Sequence, residues 1–468
     1  MSFDMLPDDV LLEIFDFYVD EVKYGYYKTK IEVWQTLVHV CHRWRRVDFG
    51  SPRRLNLQLV CTSQTPARDT LDVWPSLPLL ILELKRPTED VDNIMAVLER
   101  SDRVVQIHLF TDYDRELENV LKAMQVPFPE LTVLNFGFQE GMVSVLPDSF
   151  LGGCAPRLRY LTLHDIPLPG LPKLLLSATH LAVLRLSNIP HSGYISPEAM
   201  VAVLSTLTSL GHLSLEFESP RSRPDWAHRR LPPPTRSVLP VLTYFRFKGV
   251  CEYLEDIMTC INAPRLDYLS ITLFNQIIFE TPQSIQFISR SPILEAFEEA
   301  FIVFGGGGAR VQLTSDYGVL HMEVSCIELD WQVSSMEQVC TSLPPLSTLE
   351  DLYIHERPYS QLVWKDNIEN TLWLELLRPF PAVKNLYLSE KFASLITPAL
   401  QELTGGSMAE VLPSLQNIFL EELQPSGTVQ ASIQQFAATR QVTSHHIAVA
   451  RWDNSKEDMK NNDRRFYL

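Results

Sequence analysis

The residues that could do chemistry in this chain are few and scattered. Cys41-His42 and His445-His446 are adjacent pairs. Neighbours on a helix or strand project in different directions, so neither pair gathers a metal ion by itself. His164-Asp165 has the form of a general base with an orienting carboxylate, yet sequence spacing places no serine beside it. Gly305–Gly308 lacks the Gly-Lys-Ser/Thr ending that cradles phosphate and reads as a flexible turn. The chain has no Cys-x-x-Cys, His-Glu-x-x-His, Gly-x-Ser-x-Gly or Gly-x-Gly-x-x-Gly. These residues predict no catalytic site, no metal and no cofactor. Function is expected in surfaces.

The first such surface is written into two N-terminal blocks, Leu6–Phe15 and Trp34–Arg46. Pro7 suits the first position of a helix, where its missing N–H costs nothing. Asp8 and Asp9 follow in the first turn, at the positive end of the helix dipole. Val10, Leu11, Ile14, Phe15 and Tyr18 recur at helical spacing as one apolar stripe, and Val33, Leu37, Val40, Cys41, Trp44 and Val47 form a second. Two such helices carry more apolar surface than about 50 residues can hide alone. Cys41 falls on that apolar face, where a buried, inert thiol is expected.

Leu6-Pro7, an acidic pair, then Leu11-x-Glu13-Ile14-Phe15, followed by Val40-Cys41-x-x-Trp44-Arg45, resembles an F-box over residues 4–54. The resemblance implies a small helical domain that docks on a Skp-type adaptor and, through it, joins a cullin–RING ubiquitin ligase. Matched position by position, the adaptor-binding residues would be Leu6, Pro7, Val10, Leu11, Ile14, Phe15, Val40, Cys41 and Trp44. The segment Val19–Ile31 is longer than the usual link between the helices of that family.

Composition narrows the remainder. With 46% hydrophobic and 21% charged residues, the 468-residue chain is globular. A net charge of −17 disfavours nucleic acid and anionic membrane as partners. Seven scattered cysteines and the lack of any Asn-x-Ser/Thr acceptor suit a reducing, intracellular setting, cytoplasmic and/or nuclear. The N-terminus lacks a basic segment followed by an apolar one, so no signal peptide is expected. No apolar run reaches the ~18–20 residues of a membrane helix.

After a connector at 55–78, in which Leu55, Leu57 and Leu59 alternate with polar residues, one pattern returns: apolar-x-x-apolar-x-apolar. It starts at Leu79, Val104, Leu131, Leu158, Leu181, Leu210, Leu242, Leu266, Val324, Leu349, Val383 and Leu415, with a broken copy at Leu294. These 13 copies recur about every 28 residues, within the period of leucine-rich repeats. Each core is a short strand, and Asp90–Arg100, Asp114–Gln125 and Pro197–Thr208 between cores have helical periodicity, with Asp90 and Asp114 as caps or first-turn acids. Neighbours stack because no repeat buries its own apolar side. The fold class is therefore an α/β solenoid: a helical F-box domain (1–54), then a leucine-rich-repeat horseshoe of parallel strands (79–450) and a charged tail (451–468). The Asn or Cys usual after each core is replaced by Gln139, Ile166, Ile189, Val250 and Phe274, so an irregular pitch is expected. Glu218–Pro240, with six prolines and Arg221, Arg223, Arg229, Arg230 and Arg236, reads as a solvated insertion.

Strand residues that alternate with the buried leucines line the concave face. They include Tyr160, Arg185, His212, Tyr244, Arg246, Lys248, Tyr268, Tyr353, His355, Tyr387, Asn417 and Phe419, with the acids Glu216, Glu328, Asp330, Asp351 and Glu421. Tyr and Arg are enriched at binding hot spots. With the F-box resemblance, this row implies the substrate-recognition subunit of an SCF-type ubiquitin ligase, holding an unknown target protein. The alternative is a non-catalytic repeat scaffold or ligand sensor whose N-terminal helices act only as a cap.

Overall fold

The computed structural model describes residues 6–20, 33–51, 58–63, 66–73, 77–83, 92–111, 115–138, 145–167, 169–222, 236–274, 282–294, 297–343, 346–357, 368–403, 411–421, 428–442 and 447–452. It divides into two compact units, Met1–Ile195 with Thr206–Leu210, and Ser196–Ser205 with Gly211–Leu468. The segment between the first two helices, the caps Asp90 and Asp114, Gln139, His445-His446 and most of the proline-rich insertion lie outside the described residues.

The first unit opens with helix α1, Asp8–Asp20. Pro7 stands one place earlier than expected: its carbonyl accepts the N–H groups of Val10 and Leu11, both at 3.1 Å, which makes it the cap. The apolar residues of α1 form two stripes instead of one. Leu11, Leu12 and Phe15 are buried, whereas Val10, Ile14 and Phe17 are exposed. The second apolar block is not continuous either. It splits into α2, Val33–Val38, and α3, His42–Gly50, at Cys41, which has an extended backbone and accepts the Trp44 N–H on its Sγ at 3.5 Å. That break leaves Val40 and Cys41 exposed, so the Cys41 thiol is not the buried group expected.

Leu11, Leu12, Phe15, Leu37, Val38, Val47 and Leu77 close into a helical core, with Leu6, Trp44 and Phe49 packed on its edge. The Phe15 and Trp44 rings lie 4.8 Å apart. Arg43 joins the two blocks, donating to Asp8 Oδ1 at 2.7 Å and to the Leu6 carbonyl. Asp48 is the odd member of α3. It is fully buried, neither carboxyl oxygen has a hydrogen-bond partner among the described residues, and burial pushes its pKa up to about 7.

The sheet of this unit runs β1 (Leu59–Cys61), β2 (Leu79–Glu83), β3 (Val104–Thr111), β4 (Val133–Phe138), β5 (Tyr160–His164) and β6 (Val183–Ile189). Each strand pairs in parallel with the next in chain order. The sheet thus begins inside the segment expected to be a connector. At β2 the alternation also slips: Leu79 and Ile81 are buried and Leu82 is not, and the register with β3 shifts between Leu79 and Leu80. Elsewhere the first position of each repeat is sealed. Val104, Leu131, Leu158 and Leu181 are all fully buried. The returns include helices at Asp92–Leu98, Arg115–Ala123 and Leu171–Ser177. Ile166 and Ile189, in the places usually held by Asn, are buried apolar residues instead.

The second unit begins with the Pro197–Leu204 helix, capped by Ser196, whose Oγ accepts the Ala199 N–H. Its strands are β7 (His212–Phe217), β8 (Ser237–Val238), β9 (Tyr244–Gly249), β10 (Ile261–Asn262), β11 (Tyr268–Phe274), β12 (Glu299–Gly305), β13 (Gly308–Thr314), β14 (Val319–Ser325), β15 (Asp351–Glu356), β16 (Asn385–Leu388), β17 (Asn417–Leu420) and β18 (Ala448–Arg451). Strands β8 and β10 pair only with each other. The others follow the spatial order β7-β9-β11-β14-β13-β12-β15-β16-β17-β18.

That order corrects the expectation of parallel strands throughout. Residues 299–325 form a meander in which β13 is antiparallel to both β12 and β14. The broken copy at Leu294 is a single helical turn, Pro292–Leu294, and the strand comes afterwards, at β12. The copy placed at Val324–Leu329 is also out of register with the fold. Its strand is β14, and Leu329 starts the Leu329–Ser342 helix. Gly305–Gly308 is the tight hairpin turn between β12 and β13, with Gly305 paired to Gly308. Gln332, buried on the following helix, donates to the carbonyls of Gly305 and Cys326, both at 2.8 Å, and ties this turn down.

Two predictions follow from these packing facts. At Gly308 a Cβ would lie 2.3 Å from the Val324 carbonyl oxygen, whereas at Gly306 nothing lies within 4 Å. Gly308→Ala should therefore cost about 1–3 kcal/mol in urea unfolding, with Gly306→Ala close to wild type. Asp48 has a folded pKa near 7 against an ordinary value of 3.8. Its buried charge thus lowers stability progressively as pH rises between those values and fully above them. Asp48→Asn should stabilise the chain by about 1–3 kcal/mol at pH 8, with the gain vanishing towards pH 4, as followed by circular dichroism during urea titration.

Candidate binding surfaces

The helical part of the first unit presents fewer adaptor-facing residues than its motif implies. Pro7, Val10, Ile14, Val40 and Cys41 are exposed. Leu6 and Trp44 are half-buried against the helical core. Leu11 and Phe15 are fully buried and cannot touch another protein. They support the outer stripe from beneath, because an α-helix places residues four apart on one face and these belong to the inward one. Phe17, exposed at 71%, joins Val10 and Ile14 on the outer stripe and was missed. The signal was the i, i+4, i+7 spacing itself, hidden because neighbouring apolar positions were merged into one stripe.

On the sheets, Leu161, Leu163, Leu184 and Leu186 are buried and the residues between them face the other way. Tyr160, 48% exposed, and Arg185 occupy that open face in the first unit, on β5 and β6. His164-Asp165 lies at the end of β5 with the imidazole Nε2 3.0 Å from Asp165 Oδ2. The other Asp165 oxygen takes the Asn188 side-chain amide, and both Asp165 and Asn188 have positive φ. This pair therefore stitches one repeat to the next at two left-handed turns. A void beneath, lined by Leu163, Ile166, Leu186 and Ile195, measures about 10 Å³. That is room for about one water-sized sphere and for no larger ligand.

In the second unit, strand register gathers like residues into rows. His212, Tyr244 and Tyr268 stack nearly parallel, with centroids 3.8 Å and 4.6 Å apart. Further along, Phe301, Tyr353, Tyr387 and Phe419 form a second ladder at 4.5, 4.1 and 4.5 Å. Trp452 leans on Tyr353 and Tyr387 at 5.8 and 5.7 Å. Beside that ladder runs a polar one: Asn417 donates to Asn385 and Asn385 to Asp351, at 2.7 and 2.6 Å.

The ladder changes what is available to a partner. Tyr353 and His355 retain only 6% and 8% exposure, so both are structural here instead of contact residues. Glu328 and Asp330 leave the face altogether, as the cap and first turn of the Leu329–Ser342 helix. Arg246 stays on the face, with its Nε 3.3 Å from Glu216 Oε1, and Lys248 sits 5.8 Å from the Phe274 ring centroid.

Three residues of this face were not foreseen: Arg310, His321 and Glu323. They belong to the meander, where Val311 and Leu313, then Leu320, Met322 and Val324, alternate with them. Burial, and then the charges of Arg310, Arg246 and Arg357, hold the His321 pKa down to about 3. Glu323 meanwhile accepts from Arg357 at 2.9 Å.

No family model matches the chain, and no curated protein is similar to it. Among solved structures, a leucine-rich repeat-containing protein, LegL7, from Legionella pneumophila is similar at 11% identity and a TM-score of 0.28, over 72% of this chain and 91% of that one. A likeness of that size carries no argument about function.

The imidazole of His321 should remain neutral at pH 5, where exposed histidines are charged, as read from its ring carbon shifts. Its folded pKa lies below the ordinary 6.5. The unfolded chain therefore binds the proton first, and stability is lost as pH falls from 6.5 towards 3. Relative to wild type, His321→Gln should gain stability over that same interval.

Proposed function

We propose that this chain is a non-catalytic, substrate-recognition subunit of an SCF-type ubiquitin ligase. Its N-terminal helices hold a Skp-type adaptor, and through it a cullin, while the open sheet faces hold a target protein. One observation carries this reading: α1 has a second apolar stripe left over. Val10, Ile14 and Phe17 remain exposed at 41%, 39% and 71% although Leu11, Leu12 and Phe15 already fill the helical core. Leaving such side chains in water forgoes about 1.5–3 kcal/mol each relative to burial, and grouped exposure of this kind marks interaction sites.

The resemblance of Leu6-Pro7, Ile14-Phe15 and Cys41-x-x-Trp44-Arg45 to an F-box supplies the identity of the partner. Stacked Tyr244 and Tyr268, with Arg246 beside them, offer the target rigid aromatic area and a charged handle. The chain itself breaks no bond in this scheme; it raises the effective concentration of target beside the transfer machinery. No described helix is long and apolar enough to cross a membrane. On this reading the protein works in the cytoplasm, the nucleus or both.

A second reading is favoured by Leu77, which lies two residues before the sheet's second strand yet belongs to the helical core. It makes the helices a cap on a repeat scaffold or ligand sensor. Co-purification of the full chain with a Skp-type adaptor separates the two. Because Leu11 is fully buried, the informative substitutions are on the outer stripe. Ile14→Asp with Phe17→Asp should weaken adaptor binding by about tenfold or more while circular dichroism is unchanged. Undiminished binding, or no capture of adaptor by the wild-type chain, overturns the ligase assignment and leaves the cap.

A further inference from the structure

His321 lies in the middle of the second unit's open face. It is in register with Ser270 of β11 on one side and Gln312 of β13 on the other. Its Nε2 is buried and has no hydrogen-bond partner among the described residues. A buried polar group left that way keeps its desolvation penalty with no hydrogen bond to offset it, so an unfilled partner position there calls for an occupant.

The surroundings state what kind. The charges that act on the ring are those of Arg310, Arg246 and Arg357. Across the strands the row reads Ser214, Arg246, Ser270, His321, Gln312. Ser214 and Ser270, the short side chains of that row, are buried. Arg246 and Arg357 are each anchored by a carboxylate, Glu216 and Glu323, yet keep side-chain exposures of 46% and 40%. A guanidinium has five N–H donors in a planar fork, so the Glu323 contact of Arg357, and the Glu216 and Tyr244 contacts of Arg246, leave donors for a further acceptor. The Tyr244–Tyr268 stack stands on two of these same strands, β9 and β11, and the Phe301–Tyr353 stack on β12 and β15, beyond β13.

We infer that the arginines around His321 form an oxyanion site, and that its occupant is an acidic side chain, carboxylate or phosphoryl, of a peptide lying on the open face. The occupant's being part of a target protein rests on the function proposed above. The oxyanion takes guanidinium N–H donors and gives the His321 imidazole the acceptor it lacks. Cationic groups are repelled by the three arginines, and apolar groups would strand their donors. Lys248, one row further along the neighbouring strand β9, extends the positive field towards an approaching acidic segment.

The test uses the full-length chain with carbon-labelled histidine rings, the His321 signal being assigned by its loss in His321→Gln. Four probes are titrated: inorganic phosphate, a short peptide of alternating glutamate and serine, a glutamine–serine control, and that control phosphorylated on its serines. The His321 signal should move with phosphate and with at least one acidic peptide, but not with the control. Acidic peptide should bind about tenfold more tightly than control. That preference should collapse in both His321→Gln and Arg246→Gln, each with wild-type circular dichroism. Comparison of the glutamate and phosphoserine arms identifies the source of the oxyanion. A silent ring with every anion overturns the proposal. So does an acid preference that survives both substitutions, or phosphate binding with no peptide preferred over the control. Failure of the ligase reading looks different: His321 and the acidic peptide respond as stated, while no adaptor is captured.

Discussion

Lateral register between strands is the constraint on which both units depend. A strand puts alternate residues on opposite faces, and parallel pairing without slippage then lines equal positions into rows. On the inner side those rows are leucines, such as Leu213 opposite Phe245 opposite Leu269. No repeat could bury them alone; each is sealed by its neighbours. The same register, seen from the outer side, turns isolated aromatic and Asn residues into ladders. Side-chain bridges reinforce it from the back of the sheet. Glu255, on the Cys251–Cys260 helix, accepts from the N–H groups of Gln283 and Ser284, both at 2.8 Å, and so caps the helix of the following repeat. Burial raises the pKa of that carboxyl, and those hydrogen bonds oppose the rise.

Most of the repeat array was legible because its signal is redundant. Leu158, Leu181, Leu210, Leu242, Leu266, Leu349 and Val383 are all fully buried, as their shared spacing required. The reading failed where two periods compete. In β13 and β14 the chain alternates with period two, whereas β12 is buried along nearly its whole length, and a search for one longer motif steps over both patterns. It caught Val324, near the end of a strand, and took Leu329, the first residue of a helix, for the end of that strand. Arg310, His321 and Glu323 were lost with the strands that hold them.

The helical part failed for a related reason. Val10, Leu11, Leu12, Ile14 and Phe15 are dense enough to satisfy more than one helical face at once, and sequence does not say which face turns inward. Packing decides that: Phe15 meets Trp44, and Leu11 joins Leu37 and Val38, so the remaining stripe is the outer one. Likewise, tyrosines on a strand look equally open in sequence. Three-dimensional neighbours separate them, since Phe301, Tyr387 and Trp452 close over Tyr353, whereas Tyr160 remains 48% exposed.

The meander also sets a timetable. Strand β12 is made first of its three, yet its place is farthest from β11, and the strand that pairs with β11 is β14, made last. Within the second unit a nascent chain can extend the sheet from β7 to β9 to β11, and there accretion must pause. Residues 299–325 have to leave the ribosome as a finished three-stranded piece before the edge advances again, and β15 then adds to β12. The tightly closing Gly305–Gly308 hairpin thus governs when the growing edge is covered, as well as how the finished sheet is ordered.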